Sequence, residues 1–171
     1  MRLATRYFNR LIADTEPIEA VHSLADAWRG RADDKLPRFG LSETEYFVEL
    51  CLIYTGEVGN GGHGQFFMNR GGRYIGDTLL ALAAVGLHEL SDILKSALEL
   101  FPDKQVPEES EAAGNVFGEL SDHEMAMLAE LDRRCFIVQS DCHIRLLSYL
   151  RQHRDEILLP ERGLPTNLRS G

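Results

Sequence analysis

Apolar side chains recur every three or four residues along most of the chain, which is the spacing of one face of an α-helix. This pattern predicts helices over residues 3–12, 17–29, 42–58, 74–85, 87–101, 121–136 and 141–157. Few segments show the alternation of period two that a β-strand requires. We therefore expect an all-α fold, a single compact domain of about seven or eight helices.

Local start and stop signals support the predicted ends of these helices. Ser42 and Glu45 have the spacing of a capping box, and so do Ser121 and Glu124. Gly86 is a typical C-terminal stop, and Pro102 prevents a helix from continuing. The predicted first and last turns of these helices therefore agree with the apolar pattern between them.

The apolar pattern also predicts which residues of the last helix are buried. We expect Ile144, Leu147, Tyr149 and Leu150 to face inward.

Three segments lack the helical pattern and suggest how the chain is organised. Residues 30–40 read as a loop, residues 102–119 as an acidic linker with at most one helical turn, and residues 160–171 as a loose tail. We expect helices in residues 1–40 to pack on the core of a main helical domain formed by residues 41–159. The whole is expected to be one structural domain.

A glycine-rich run separates two of the predicted helices. Glycines 59, 61, 62 and 64 lie within six positions, and such a density interrupts a helix. The helix is expected to end there and to restart as a short helix over 65–70, with side-chain amides bonded to the exposed backbone. Two interpretations remain open: a self-satisfied connection between helices, or a small polar pocket or partner contact. The residues of this loop and candidate pocket are Asn60, Gly61, Gly62, His63, Gln65, Phe66 and Asn69.

Acidic residues are concentrated in one stretch of the chain. The net charge is −9, and residues 99–132 alone carry ten carboxylates against one lysine, which also gives −9. Such a field repels nucleic acid and attracts basic surfaces. A solvated surface that only aids solubility is the alternative. The candidate interaction surface comprises Glu99, Asp103, Glu108, Glu109, Glu111, Glu119, Asp122 and Glu124.

The sequence offers little that indicates catalysis or a cofactor. The six histidines have no metal-ligand spacing, and the glycine run follows a helix and lacks the lysine of a phosphate loop. We therefore predict no catalytic residues, no metal and no cofactor. Cys51, Cys135 and Cys142 are an odd number and lie in predicted helices, which favours reduced thiols and a cytoplasmic protein. No apolar stretch approaches the length of a membrane span, and the N-terminus lacks the features of a secretory signal.

The run EVGNGGHGQFFMNRGG at residues 57–72 resembles the hallmark of a bacterial family of helical domains, the DNA-mimic protein family. The segment ALAAVGLHELSDILKSALELFP at 81–102 is similar to the next helix pair of that family, and the resemblance covers roughly residues 40–157. His63 differs from the family pattern, in which an aromatic residue often follows the two glycines. The substitution is expected to keep the fold and to change the polarity of the loop.

The resemblance implies an all-α fold and, for the named member of the family, binding to a transcription factor through an acidic surface that imitates DNA phosphates. From this we derive the first hypothesis, a non-enzymatic interaction protein that binds a basic or DNA-binding protein through residues 99–132. It implies no direct nucleic-acid binding and no membrane association, and it leaves a homodimer open. The second hypothesis is an enzyme or small-ligand-binding protein that uses the pocket around Asn60, His63 and Gln65.

Overall fold

The computed structural model describes residues 3–29 and 40–158, and within these ranges every regular element is a helix and there is no strand. The predicted all-α class is confirmed. The eight α-helices of the described residues are α1 (Leu3–Asp14), α2 (Pro17–Arg29), α3 (Glu43–Arg70), α4 (Ile75–Val85), α5 (His88–Leu98), α6 (Ser110–Gly118), α7 (Asp122–Val138) and α8 (Cys142–Gln152). Except for Gly40, the loop predicted at 30–40 lies outside the described residues, and so does the tail predicted at 160–171.

The chain groups into two compact units. Their boundaries along the sequence differ from those of the predicted segments 1–40, 41–159 and 160–171. The first unit takes its described residues from 1–49 and 143–171, and the second comprises residues 50–142. The glycine-rich run and the whole acidic stretch belong to the second unit. The predicted boundaries at residues 40 and 159 stay a prediction.

In the second unit, α5 packs against α4 and α7 around a core of aromatic and aliphatic side chains. Phe67 lies edge-on to Phe101, with ring centroids 5.0 Å apart, and Tyr54 meets Phe66 in the same way at 5.2 Å. Edge-to-face pairs of this kind add to the stabilisation from burial. The two phenylalanines that follow the glycine run thus anchor the end of α3 in the core.

In the first unit, buried polar groups are paired across long sequence distances. The indole Nε1 of Trp28 donates to Oε2 of Glu49 at 3.2 Å, and the hydroxyl of Thr44 donates to Glu156 at 2.5 Å. Glu45 is buried and accepts from the backbone amide of Ser42, while its own amide donates to the Ser42 hydroxyl. The capping box predicted at the start of α3 is therefore confirmed.

Three further predictions about the helices can be compared with the structure. Ser121 and Glu124 form the second capping box, and Gly86 ends α4 in the left-handed conformation, with φ of 83°. The linker predicted at 102–119 is wrong, because residues 110–118 form α6. Its helical pattern was masked by the density of acidic residues and by the two prolines before it. The apolar residues Ala113, Val116 and Phe117 recur at helical spacing and give α6 a face to pack.

The last helix is shorter than predicted and turns one predicted core residue outward. α8 ends at Gln152, and a short 3-10 turn follows at Arg154–Glu156. Leu147, Tyr149 and Leu150 are buried as predicted, but Ile144 is 57% exposed. A 3-10 turn at Gln139–Asp141 precedes α8. Leu146 lies one helical turn from the buried residues Cys142 and Leu150, so it joins the buried face instead of Ile144.

Candidate functional site

The glycine-rich run forms a sharp kink within α3. Gly61 and Gly62 depart from helical geometry, with φ,ψ of −157°, 24° and 73°, −178°, whereas the residues on both sides are helical. The predicted interruption of the helix is confirmed, but it needs only two of the four glycines. The conformation of Gly62 is one that side-chain-bearing residues rarely adopt. A Cβ on Gly62 would also lie under 3.0 Å from the carboxylate of Asp132.

His63 follows the kink and is fully buried. Its backbone amide donates to Oδ1 of Asp132 at 2.8 Å, and its ring Nδ1 lies 2.5 Å from the same oxygen. Its Nε2 lies 2.9 Å from the hydroxyl of Tyr54, which also accepts from the Cys135 thiol at 3.9 Å. Both ring nitrogens of His63 are thus engaged with protein groups. The arrangement fastens the kink of α3 to α7.

Hydrogen bonds link Cys135, Tyr54, His63 and Asp132 in a row. The proton positions along this row follow from the groups at its two ends. Burial, followed by the neighbouring Cys135 and the charge of Asp132, raises the pKa of Tyr54 well above its usual value. Burial is also the main reason that the pKa of Cys135 is raised to about 11. Both groups therefore keep their protons at neutral pH. A carboxylate accepts hydrogen bonds only, so Nδ1 of His63 donates to Asp132, and a neutral imidazole then accepts from Tyr54 through Nε2.

A second cluster forms around Glu57, the first residue of the signature run. Oε2 of Glu57 accepts from the side-chain amides of Gln65 and Asn69, each at 2.8 Å, and Oε1 accepts from Arg70 at 3.1 Å. Burial raises the pKa of Glu57, but these hydrogen bonds and the charge of Arg70 outweigh it, and the pKa lies below its usual value. The carboxylate bridges the two helical arms of α3 across the kink.

The paired glycines after α3 contact residues 106–108, which belong to the segment 102–109 before α6. We call residues 102–109 the acidic segment. A Cβ on Gly71, whose φ is 60°, would clash with the backbone oxygen of Glu108, and a Cβ on Gly72 would clash with that of Val106. The amide of Gly72 donates to the carbonyl of Pro107 at 2.6 Å. Glycine is required here because two backbone segments approach closely. The end of the signature run thus holds the segment that leads into α6.

The structure distributes the predicted loop residues over different environments. His63 and Phe66 are buried, Asn60 is exposed, and the polar ends of Gln65 and Asn69 bind Glu57. These contacts favour the interpretation of the run as a connection between helices that satisfies its own polar groups. Tyr54, Glu57 and Asp132 take part in these contacts, and the sequence did not indicate them as site residues. Glu57 stands at the start of the signature, but the pairing of His63 with Asp132 spans 69 residues and has no local signal.

The predicted acidic surface residues lie at the end of α5, in residues 102–109, in α6 and in the first turn of α7. All are exposed except Glu124, which is intermediate because it forms the capping box with Ser121. The hydrogen bonds from Ser121 are the main cause that lowers the pKa of Glu124. Asp103 has a φ of 54°, in the left-handed region that aspartate tolerates better than most residues.

Two kinds of site are not found in the described part of the chain. Among residues 3–29 and 40–158, no three histidine, cysteine, aspartate or glutamate side chains are grouped so that they could hold a metal ion together. Within the same ranges, no helix combines the length and the apolar character needed to cross a bilayer. The three cysteines are buried free thiols.

The fold and these contacts define a class of protein, an all-α protein in which a kinked, glycine-rich helix contacts α7, and the glycines at its end contact the segment that leads into α6. A family model described as DMP19-like protein matches residues 40–153, which is 114 of the 171 residues. The chain belongs to this family, whose name refers to DNA mimic protein 19. The resemblance noted from the signature run is thereby confirmed. No curated protein and no solved structure matched the chain.

Proposed function

We propose that this protein is a DNA mimic that binds a DNA-binding protein through the carboxylates of residues 99–132. Membership in the DMP19-like family is the observation that carries the proposal, because the family name denotes DNA mimicry. The charge distribution supports it, since one stretch of 34 residues holds a net charge equal to that of the whole chain. A concentrated field of this sign attracts the basic surface with which a protein binds DNA.

Within the described residues, most of these carboxylates have no neighbouring cation that neutralises them. Glu99 pairs with Lys104 at 2.6 Å, and Glu109 pairs with Arg73 at 3.1 Å. As far as the described residues show, Glu108, Glu111, Glu119 and Asp122 form no ion pair. An exposed carboxylate without a cation keeps its full charge available to a partner. The partner is therefore expected to bring lysine and arginine side chains, as DNA-binding surfaces do.

The signature run supports the proposal through its effect on the acidic segment. Gly72 is bonded to the backbone of Pro107, and Arg73 is paired with Glu109. The hydroxyl of Ser110 lies 3.4 Å from the carbonyl oxygen of Asn69, at the start of α6. These contacts restrain the main chain that carries Glu108, Glu109 and Glu111. Holding charges in place before binding reduces the ordering cost that a partner must otherwise overcome.

The alternative, a small-ligand site or enzyme at the glycine-rich run, is less well supported. The polar groups of Gln65, Asn69 and His63 are bonded to Glu57 and Asp132, so a ligand would have to compete with existing hydrogen bonds. The imidazole is also fully buried. These contacts account for the polar residues of the run without a ligand.

The decisive experiment is capture of a binding partner followed by competition with DNA. The immobilised protein is exposed to lysate of its own source cells at low salt, and bound proteins are eluted with duplex DNA. We expect duplex DNA to release a DNA-binding protein, and the purified partner to bind either DNA or this protein but not both together. A partner that remains bound in saturating duplex DNA, or the recovery of no DNA-binding protein, would overturn the proposal.

A matched control separates the local acidic surface from the total charge. The test variant reverses Glu108, Glu109 and Glu111 to lysine. The control variant reverses Glu16, Glu19 and Glu89, which are exposed and lie outside the acidic stretch. Both variants change the net charge equally, and each alters glutamates in the first turn of a helix. Only the first is expected to lose the partner, and equal loss in both would point to nonspecific attraction.

A further inference from the structure

Two histidines of the first unit face each other across helices that are far apart in sequence. His22 lies on α2 and His143 on α8, 121 residues further along the chain. Their Nε2 atoms are 3.2 Å apart, and their ring centroids are 5.2 Å apart with an angle of 42° between the planes. His22 is exposed and His143 is partly exposed, so solvent reaches the pair. Neither residue has a role in the proposed DNA mimicry.

The distances between the two imidazoles can be compared with those of a metal chelate. Two nitrogens that each lie about 2.05 Å from one tetrahedral ion are about 3.3 Å apart, and their ring centroids are about 5.2 Å apart. Without a metal ion, the same contact of 3.2 Å is a bent hydrogen bond between the two rings. The observed separations of 3.2 Å between the nitrogens and 5.2 Å between the centroids are also those of rings that converge on one ion. The pair could therefore chelate an ion without a change in the positions of the rings.

We propose that His22 and His143 form a binding site for one divalent transition-metal ion, with Nε2 of each ring as a ligand. Imidazole suits zinc, copper and nickel, whereas magnesium and calcium prefer oxygen ligands. The described residues provide no third ligand at hand. The remaining positions are therefore filled by water, which makes the site open and exchangeable rather than a closed structural site. Binding joins α2 to α8.

The test is direct titration with zinc chloride, measured by calorimetry on protein that carries no histidine tag and has been stripped with a chelator. We expect one zinc ion to bind per chain. The variants His22→Ala and His143→Ala should each weaken binding at least about tenfold, because each leaves a single ligand. The control variants His88→Ala and His123→Ala remove exposed histidines of the second unit and should bind zinc as the parent protein does.

A thermal measurement keeps the test valid if a variant changes stability. A ligand that binds only the folded state raises the melting temperature. A metal ion that bridges α2 and α8 is such a ligand, because only the folded state brings the two histidines together. Zinc should raise the melting temperature of the parent protein and of the two controls, but should not raise that of His22→Ala or His143→Ala. No zinc binding by the parent protein at millimolar concentration would overturn the proposal. So would undiminished binding by either of the two site variants.

Discussion

The buried imidazole of His63 is bonded to the carboxylate of Asp132, a residue 69 positions away on another helix. Nδ1 and Oδ1 are 2.5 Å apart, and the same oxygen accepts the backbone amide of His63 at 2.8 Å. The contact places the glycine kink of α3 against α7, the helix that carries the last carboxylates of the acidic stretch. One side chain thus satisfies the first backbone donor after the kink and fixes its position.

The substitution Asp132→Ala should destabilise the protein by about 1–3 kcal/mol, because it leaves two buried donors of His63 without an acceptor. Urea unfolding monitored by circular dichroism measures the change. Glu130→Ala serves as the control, since Glu130 is exposed on the same helix and pairs with Arg133 at the surface. Its effect should stay below about 1 kcal/mol. Equal effects of the two substitutions would contradict the importance of the His63 contact.

The two glycines of the kink should respond differently to alanine. Gly62→Ala should cost at least about 1–3 kcal/mol, because alanine is strained at its φ of 73° and meets the Asp132 carboxylate. Gly61→Ala should cost less, because its φ of −157° suits any residue and its Cβ meets the movable side chain of Gln65. Thermal unfolding of both variants measures the difference.

A third glycine provides the control for this pair. Gly56 lies in the helical part of α3, and a Cβ there would meet nothing within 4 Å. Gly56→Ala should therefore stabilise the protein by about 0.4–1 kcal/mol through the smaller entropy of its unfolded chain. Loss of stability in Gly56→Ala, or none in Gly62→Ala, would show that the kink does not have the backbone described.

The substitution Gly72→Ala should loosen the acidic segment. Its Cβ would collide with the backbone oxygen of Val106, and the segment must move away because backbone atoms cannot rotate aside. Lys104 is exposed at the start of this segment, so trypsin should cleave after Lys104 faster in the variant. Gly76→Ala is the control, because a Cβ there meets nothing within 4 Å. Unchanged cleavage in Gly72→Ala would contradict the proposed restraint.

The stability supplied by Glu57 should depend on pH. Its pKa is lower in the folded protein than in the unfolded chain, so its contribution is complete above the unfolded value and declines as the pH falls through the folded value. Glu57→Gln should be less stable than the parent protein at about pH 7, and the difference should shrink toward about pH 4 and below. Urea unfolding across this range measures it. A difference that is constant with pH would mean that the charge of Glu57 is not the cause.

Binding of the partner should be electrostatic. The affinity should fall as salt shortens the Debye length from ~10 Å at 0.1 M to ~3 Å at 1 M. Reversal of Glu108, Glu109 and Glu111 to lysine should mainly slow association, because steering depends on the summed field of the surface. Surface plasmon resonance with the purified partner separates the two rate constants. A salt-independent affinity, or a change confined to dissociation, would argue against an acidic docking surface.

The sequence by itself determined most of the helices, two capping boxes and the place of the kink. These features depend on neighbours within one or two turns, such as Ser42 with Glu45 or the departure of Gly61 and Gly62 from the helix, and local rules of periodicity and capping describe them well. The same rules missed α6, because prolines and carboxylates around residue 107 obscured a short apolar face. The family signature was also visible in the sequence, since it is a contiguous run.

Only the tertiary structure decided what the signature residues do. The partners of His63 and Gly72 lie 69 and 35 positions away, at Asp132 and Pro107, and no local pattern specifies such pairs. They are set by how α3 packs against α7 and against the segment before α6, where a buried donor needs an acceptor and two backbones need a residue without a side chain. The pairing of His22 with His143 has the same origin, because helix packing alone brings their nitrogens to 3.2 Å.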